Sequence, residues 1–482
     1  MGNRPCNTAS IHILDDDSLL HVFYLHRPFL LGEDQDDNAC LRGGDRGWVR
    51  GRWWYRLAHV CQRWRNVILG SASHLGLSLV CTYGTPVADM LEHQPPFPLV
   101  FDYFKATRDI TTEDEEGIFL ALKHHDRVRR IRLSNAGTIM QKFVAAMDEE
   151  YPILEYLIIR TPTQYTGTVL RFPESFQAPN LRHLYLRGFA LPIASRLLTA
   201  AVGLVTLDLV IIRPSLYLHP NTLLQWVSLM PQLETLAVFF KFSTPTRDVV
   251  RAVRQLTHTP IIAPITLPNL RHFYFHGVSS YLEAIVHRIT TPHLKRLKII
   301  FFNQLTFSIP HLLQFIDAAE NLRFYKAYLT FSEKKVDMAL YPHGNAKLRA
   351  LSIVVNCWHL DWQISSMAQI TNSLSQIFGA VEFLTLQCAE QSGTSEEHNE
   401  VDHTEWHKLL RPFSNVKNFH IQTRLVKDLS RCLELEDGEH PFKLLPELQE
   451  LTYSGSGHTD DAFTLFVDAR RNAGRPVTLV HR

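Results

Sequence analysis

Thiols are scarce in this sequence, charge is nearly balanced and no apolar run is long. The seven cysteines (Cys6, Cys40, Cys61, Cys81, Cys357, Cys388, Cys432) are odd in number and scattered, with no Cys-x-x-Cys among them. That argues against a disulfide framework and a thiolate zinc site; several of the seven sit in apolar runs, as small core residues do. Lysine and arginine total 49 against 48 acidic residues, a net charge of +1, so no global field draws nucleic acid or a membrane surface. The longest apolar stretches are of the kind Leu297-Lys298-Ile299-Ile300-Phe301-Phe302, far short of the ~20 residues that cross a bilayer. Met1 to Cys6 carries no secretory signal, and Cys6 stands where a myristoylation signal needs Ser or Thr. These absences predict a reducing compartment, cytoplasm or nucleus.

Catalytic patterns are also thin. His403-x-x-x-His407 has metal-ligand spacing, with Glu396, Glu397 and Glu400 nearby, but Thr404 stands where a zincin places its glutamate. His124-His125 is isolated, and Gly455-Ser456-Gly457 lacks the strand-turn-helix order of a nucleophile elbow. No phosphate-cradling glycine loop occurs. The expectation is therefore no catalytic residue, no metal and no cofactor, with a metal-dependent hydrolase at His403 as the last-ranked alternative.

What the chain does have is one short pattern, apolar-x-x-apolar-x-apolar, written twelve times between residues 128 and 453. Clear copies are Leu181-Arg182-His183-Leu184-Tyr185-Leu186, Leu270-Arg271-His272-Phe273-Tyr274-Phe275 and Leu294-Lys295-Arg296-Leu297-Lys298-Ile299. Others begin at Val128, Leu154, Leu204, Leu233, Leu348, Val381, Val416 and Leu448, and the weakest begins at Leu322, where Ala327 fills the last apolar place. Self-similarity at this period signals a solenoid, each unit burying its apolar face on its neighbours. The alternation at the end of each copy is that of a half-buried strand, and the intervening segments read as returning helices. Ser308 before Ile309-Pro310, for example, opens one such helix.

The chain divides into a tail (1–10), a helical segment (11–70) with a polar, Gly-rich insert expected to be disordered at 27–51, linking strands (71–117) and the repeats (118–482). The linking strands are Leu75 to Cys81 and Pro98 to Tyr103, joined by a Gly84-Thr85-Pro86 turn. A polar, acidic stretch at 390–407 reads as a surface loop. The regular leucine-rich repeat places Asn three positions past the last apolar residue. Only Asn356 does so here, so an irregular leucine-rich-repeat-like solenoid is expected, parallel strands on one face and helices on the other.

Within residues 11–70, Ile13-Leu14-Asp15-Asp16-Asp17-Ser18-Leu19-Leu20-His21-Val22-Phe23 and Leu57-Ala58-His59-Val60-Cys61-Gln62-Arg63-Trp64-Arg65 resemble the two halves of an F-box. With the degenerate repeats that follow, the chain is similar to the large F-box family of mushroom-forming fungi. Asp15 replaces the family's Pro, Asp17 its Glu and Ser18 a Leu, while Gln62 shifts the basic place by one. The resemblance implies an α/β protein with an N-terminal three-helix F-box that docks the Skp adaptor, and through it a cullin, of a ubiquitin ligase. Leu14, Leu19, Val22, Phe23, Trp54, Leu57, Val60, Cys61, Trp64 and Ile68 would make that contact. The solenoid would hold an unidentified target protein. A stand-alone interaction scaffold with a decayed F-box is the alternative. Strand alternation turns the places between and after the last apolar residues away from the core. Along them Tyr185, Arg187, Phe239, Tyr274, His276 and Tyr328 are the expected partner anchors.

Overall fold

Each of the twelve copies becomes a strand because its apolar residues are placed for one buried face. The computed structural model describes residues 14–26, 53–104, 109–134, 137–161, 169–192, 194–242, 263–304, 306–343, 348–389, 403–434, 442–454 and 462–481. The expected disorder at 27–51 and most of the 390–407 loop lie outside the described residues. Two compact units are present: Met1–Leu186 with Ala194–Ala201, and Arg187–Ile193 with Val202–Arg482.

In the first unit, α1 (Asp16–His26), α2 (Trp53–Ala58) and α3 (Gln62–Gly70) form the N-terminal module. The Asp15 carboxylate accepts a hydrogen bond from the Ser18 backbone N–H at 2.7 Å. That cap, with Asp16 and Asp17 in the first turn, suits the positive helix end and accounts for the missing Pro. Accepting that bond holds the exposed Asp15 carboxyl below its usual range. Cys61 caps α3, its sulfur accepting from Trp64 N–H. Phe23 meets the Trp64 ring edge-on at 4.9 Å. Arg63 ties α3 back to α1 through the Asp16 carboxylate, at 2.8 Å, and the Leu14 carbonyl.

The segment at 71–117 corrects the sequence expectation. Its strands are not joined by a simple turn: the helix Val87–His93 separates β1 (Leu79–Thr82) from β2 (Leu99–Tyr103). Both run parallel and continue into β3 (Val128–Ser134), β4 (Tyr156–Arg160) and β5 (His183–Arg187). They are thus the first strands of the stack, not a linker. The Gly84 turn is held to the helix Thr112–Leu122, since Gly84 N–H donates to the Asp114 carboxylate at 2.7 Å, and Gly84 adopts φ of +69°, a region open to glycine.

The second unit orders its strands β6 (Thr206–Ile211), β7 (Thr235–Phe240), β9 (His272–Gly277), β11 (Arg296–Phe302), β14 (Leu351–Asn356), β13 (Lys335–Pro342), β12 (Phe324–Ser332), β15 (Phe383–Cys388), β16 (Asn418–Ile421), β17 (Glu450–Tyr453) and β18 (Thr478–His481). Short β8 (Ile265–Thr266) and β10 (Ile289–Thr290) pair separately. From β6 to β18 all neighbours are parallel except β14–β13 and β13–β12. The copy at Leu322, the weakest of the twelve, therefore leaves the chain order. Its strand turns directly through Glu333-Lys334 into β13. Too short for a crossover, that connection permits only an antiparallel neighbour, and β14 takes the place beside β11.

Successive strands are locked by a repeated backbone arrangement in which one carbonyl accepts from two consecutive N–H groups of the next repeat. Glu234 O accepts from Arg271 and His272, and Arg271 O from Lys295 and Arg296. An asparagine ladder also exists, at a place the sequence pattern did not indicate. Asn180, Asn269 and Asn415, each just before a repeat's first apolar residue, donate to the carbonyls of Pro152, Pro231 and Gly379 in the preceding repeat. Arg127 does the same to Phe97. The visible signal was Pro-Asn-Leu, at both 179–181 and 268–270.

Candidate functional site

The N-terminal module is apolar in two senses. Leu19, Phe23, Trp54 and Ile68 are fully or almost fully buried, Trp54 lying edge-on to Phe97 at 5.6 Å. These four hold the module together, which corrects their assignment as docking contacts. Val22, Leu57, Cys61 and Trp64 are half-buried. Leu14 is exposed, Val60 is 58% exposed and Leu25 is 62% exposed. Leu25 was not among the expected contacts; helical spacing from Leu14, Asp17 and His21 points it outward. Exposed branched side chains on so small a module are the kind of surface a partner covers.

On the strand face away from the helices, alternation assigns the side correctly but not its exposure. Tyr185 and Tyr328 are half-buried, whereas Arg187, Phe239, Tyr274 and His276 are each less than a tenth exposed. The expectation of an open strip is corrected at those four. Tyr185 lies in the first unit and the other five in the second. Lys326 Nζ sits 4.8 Å over the Tyr328 ring, and Tyr341 meets the same ring edge-on.

A second feature of this face is chemical. Asp208, between two core leucines of β6, points away from the core and is 4% exposed. Burial pushes its carboxyl well above the usual range, with Lys241 pulling the other way. Burial pushes the His276 imidazole down to about 4, helped by Lys241. His183 and His272 are likewise lowered to about 4, by burial first and then by neighbouring arginines. Strand alternation placed Asp208 on this face without ranking it among the anchors, singled out His276, and gave no signal for Lys241.

His403 and His407 lie on the helix His403–Leu410, but the His407 Nε2 is engaged with the Cys432 carbonyl at 2.7 Å. Among the described residues no group of three or more His, Cys, Asp or Glu side chains could hold a metal ion. Burial pushes the Cys357 and Cys432 thiols up to about 12, the range of inert core cysteines. Among the described residues no helix is long and apolar enough to cross a membrane.

The register thus defines an α/β protein of stacked, mostly parallel strands with connecting helices and a helical N-terminal module. No protein-family model matches the chain, and no curated protein matches it. Among solved structures it is similar to the leucine-rich repeat-containing protein LegL7 from Legionella pneumophila. That chain is 13% identical, with 83% of this chain and 98% of that chain covered at a TM-score of 0.26. So low a score carries no argument, and the repeat architecture stands on the strand register itself.

Proposed function

We propose that this chain is a substrate-recognition adaptor of a Skp–cullin–F-box ubiquitin ligase, the helical module docking the Skp adaptor and the repeats holding the target protein. The observation that carries the reading is the exposure of Val60, within the Leu57-x-x-Val60-Cys61-x-x-Trp64-Arg65 stretch that resembles the F-box. An exposed valine between two short helices gains nothing from the fold and gains from a partner. The stack of parallel strands supplies the other half of such a role, since repeat units present long faces to proteins. On this reading bond-making belongs to other subunits, and the chain works in the cytoplasm or nucleus.

A stand-alone interaction scaffold is the second reading. What favours it is that four of the ten residues expected to dock are buried inside the module. Coexpression with a Skp adaptor decides between them. The adaptor reading expects stoichiometric copurification that Val60→Asp abolishes; the scaffold reading expects no copurification from the start.

A further inference from the structure

Away from the strand face, two imidazoles meet across neighbouring repeats. His287 is the C-cap of the helix Ser279–Val286, and His311 stands in the first turn of the helix Pro310–Asp317. The two helices follow the paired strands β9 and β11, and both belong to the second unit. The Nδ1 atoms lie 3.2 Å apart and the ring centroids 4.0 Å, at an interplanar angle of 42°. His287 is exposed and His311 half-buried, so the pair is open to water. Two rings in contact with water gain little from one hydrogen bond between them, because water replaces it.

A third residue holds the approach in place. Glu283, one helical turn before His287, is 9% exposed. Its carboxylate accepts from the His311 N–H at 2.8 Å and from the Leu312 N–H at 3.0 Å. One side chain of the first helix thus satisfies the open N–H groups of the second, and the backbone carrying His311 is fixed against the turn carrying His287. Both Glu283 oxygens are engaged in that clamp, which leaves the imidazoles as the groups that can turn to a ligand. Burial, then the facing His311 and Arg288, lowers the His287 imidazole below its usual range and favours the neutral form that a metal requires.

We propose that His287 and His311 bind a zinc ion through their Nδ1 atoms, stapling two neighbouring repeats on the helical side of the second unit. Two imidazole nitrogens at the usual zinc distance of about 2.0–2.1 Å, set at the tetrahedral angle, stand about 3.3 Å apart. The pair is already at 3.2 Å, so the ion enters without moving either helix. Imidazole suits zinc, copper and nickel; of these, zinc has no redox chemistry and imposes no geometry of its own. Among the described residues no further His, Cys, Asp or Glu completes a set of three. Water therefore fills the remaining positions, and the site is open and exchangeable rather than a closed structural one. An ion held this way stabilises the folded chain by binding and leaves the strand face clear.

The test titrates the full chain with zinc chloride in a non-chelating buffer and follows binding by calorimetry. The wild type should bind zinc saturably, and His287→Gln and His311→Gln should each bind one equivalent fewer. Zinc should also raise the melting temperature of the wild type more than that of either variant. His403→Gln is the control: it changes a histidine on the helix whose other histidine, His407, is engaged with a backbone carbonyl, and it should keep the wild-type stoichiometry. A second readout needs no variant. Zinc should protect His287 and His311 from ethoxyformylation by diethylpyrocarbonate, read peptide by peptide in a mass spectrometer. The site is overturned by an absence of saturable binding, which would leave the pair as a hydrogen bond between rings. Wild-type stoichiometry in His287→Gln, loss of the equivalent in His403→Gln, or no protection of His287 would overturn it equally. None of these measurements involves the adaptor or a target protein, so their outcome is separate from that of the proposed function.

Discussion

In the N-terminal helical module Leu25 and Val60 stand in water, whereas on β6 to β9 Asp208 and His276 are taken out of it. Both placements run against folding stability: the first leaves apolar area hydrated, and the second strips polar atoms of water without replacing it. Their chemistries differ in what could relieve them. An apolar surface is satisfied by shape and area, so the helical module suits a protein face. A buried polar cluster is satisfied only by matching charge and donors, so the strand face suits a particular chemical group.

The contrast is broken most strongly at Phe23. Phe23→Ala should cost about 3–5 kcal/mol of the first unit's stability, as large-to-small core changes do, measured by denaturant unfolding. Val60→Asp should change that stability by less than about 0.5 kcal/mol yet remove about 2 kcal/mol or more of adaptor binding. If Val60→Asp unfolds the module instead, its exposure is not that of a docking residue.

On the polar side, the effect appears in acid. The folded His276 pKa of about 4 lies below the unfolded value near 6.5, so as pH falls the unfolded chain binds the proton first. The stability that neutral His276 contributes is thus complete above about pH 6.5 and is lost as pH falls toward 4. His276→Gln should flatten this acid limb by on the order of 1–3 kcal/mol. An unchanged slope would place the histidine in water rather than in the cluster.

The smallest effect belongs to the ladder. Asn269→Ala removes a single donor to Pro231 and should lower the stability of the second unit by about 1 kcal/mol, with adaptor binding untouched. A change in adaptor binding would mean that the repeats transmit strain along the stack.

Much of this was legible from the residues. The apolar-x-x-apolar-x-apolar copies mark strands because burial selects side chains two apart, and all twelve copies fold that way. Pro310 does open a helix, Pro310–Asp317, but Ile309 rather than Ser308 stands at its cap, with no side-chain cap hydrogen bond. Gly474, with φ of +83°, follows the last helix, Thr464–Asn472, in the left-handed region that glycine allows. Strand β13 was not seen, although Val336, Met338 and Leu340 alternate as a strand should, because it lacks the repeat's first apolar residue. Its register is held by Asp337, which accepts from Arg349 and Ser352, contacts between residues that no local pattern links.

The sequence by itself determined that the twelve repeat copies enter strands and which side of the strand their residues face, since both follow from covalent alternation along a single chain. It also determined the cap at Asp15 and the cluster of apolar residues in the helical module. Tertiary structure decided the rest: that β14 displaces β12 from chain order, that Phe239 and Tyr274 are buried rather than open, and that Lys241 comes to lie near Arg187, Asp208 and His276. Those outcomes depend on which strands become neighbours and on what removes water from a face, quantities set by pairing between residues tens of positions apart.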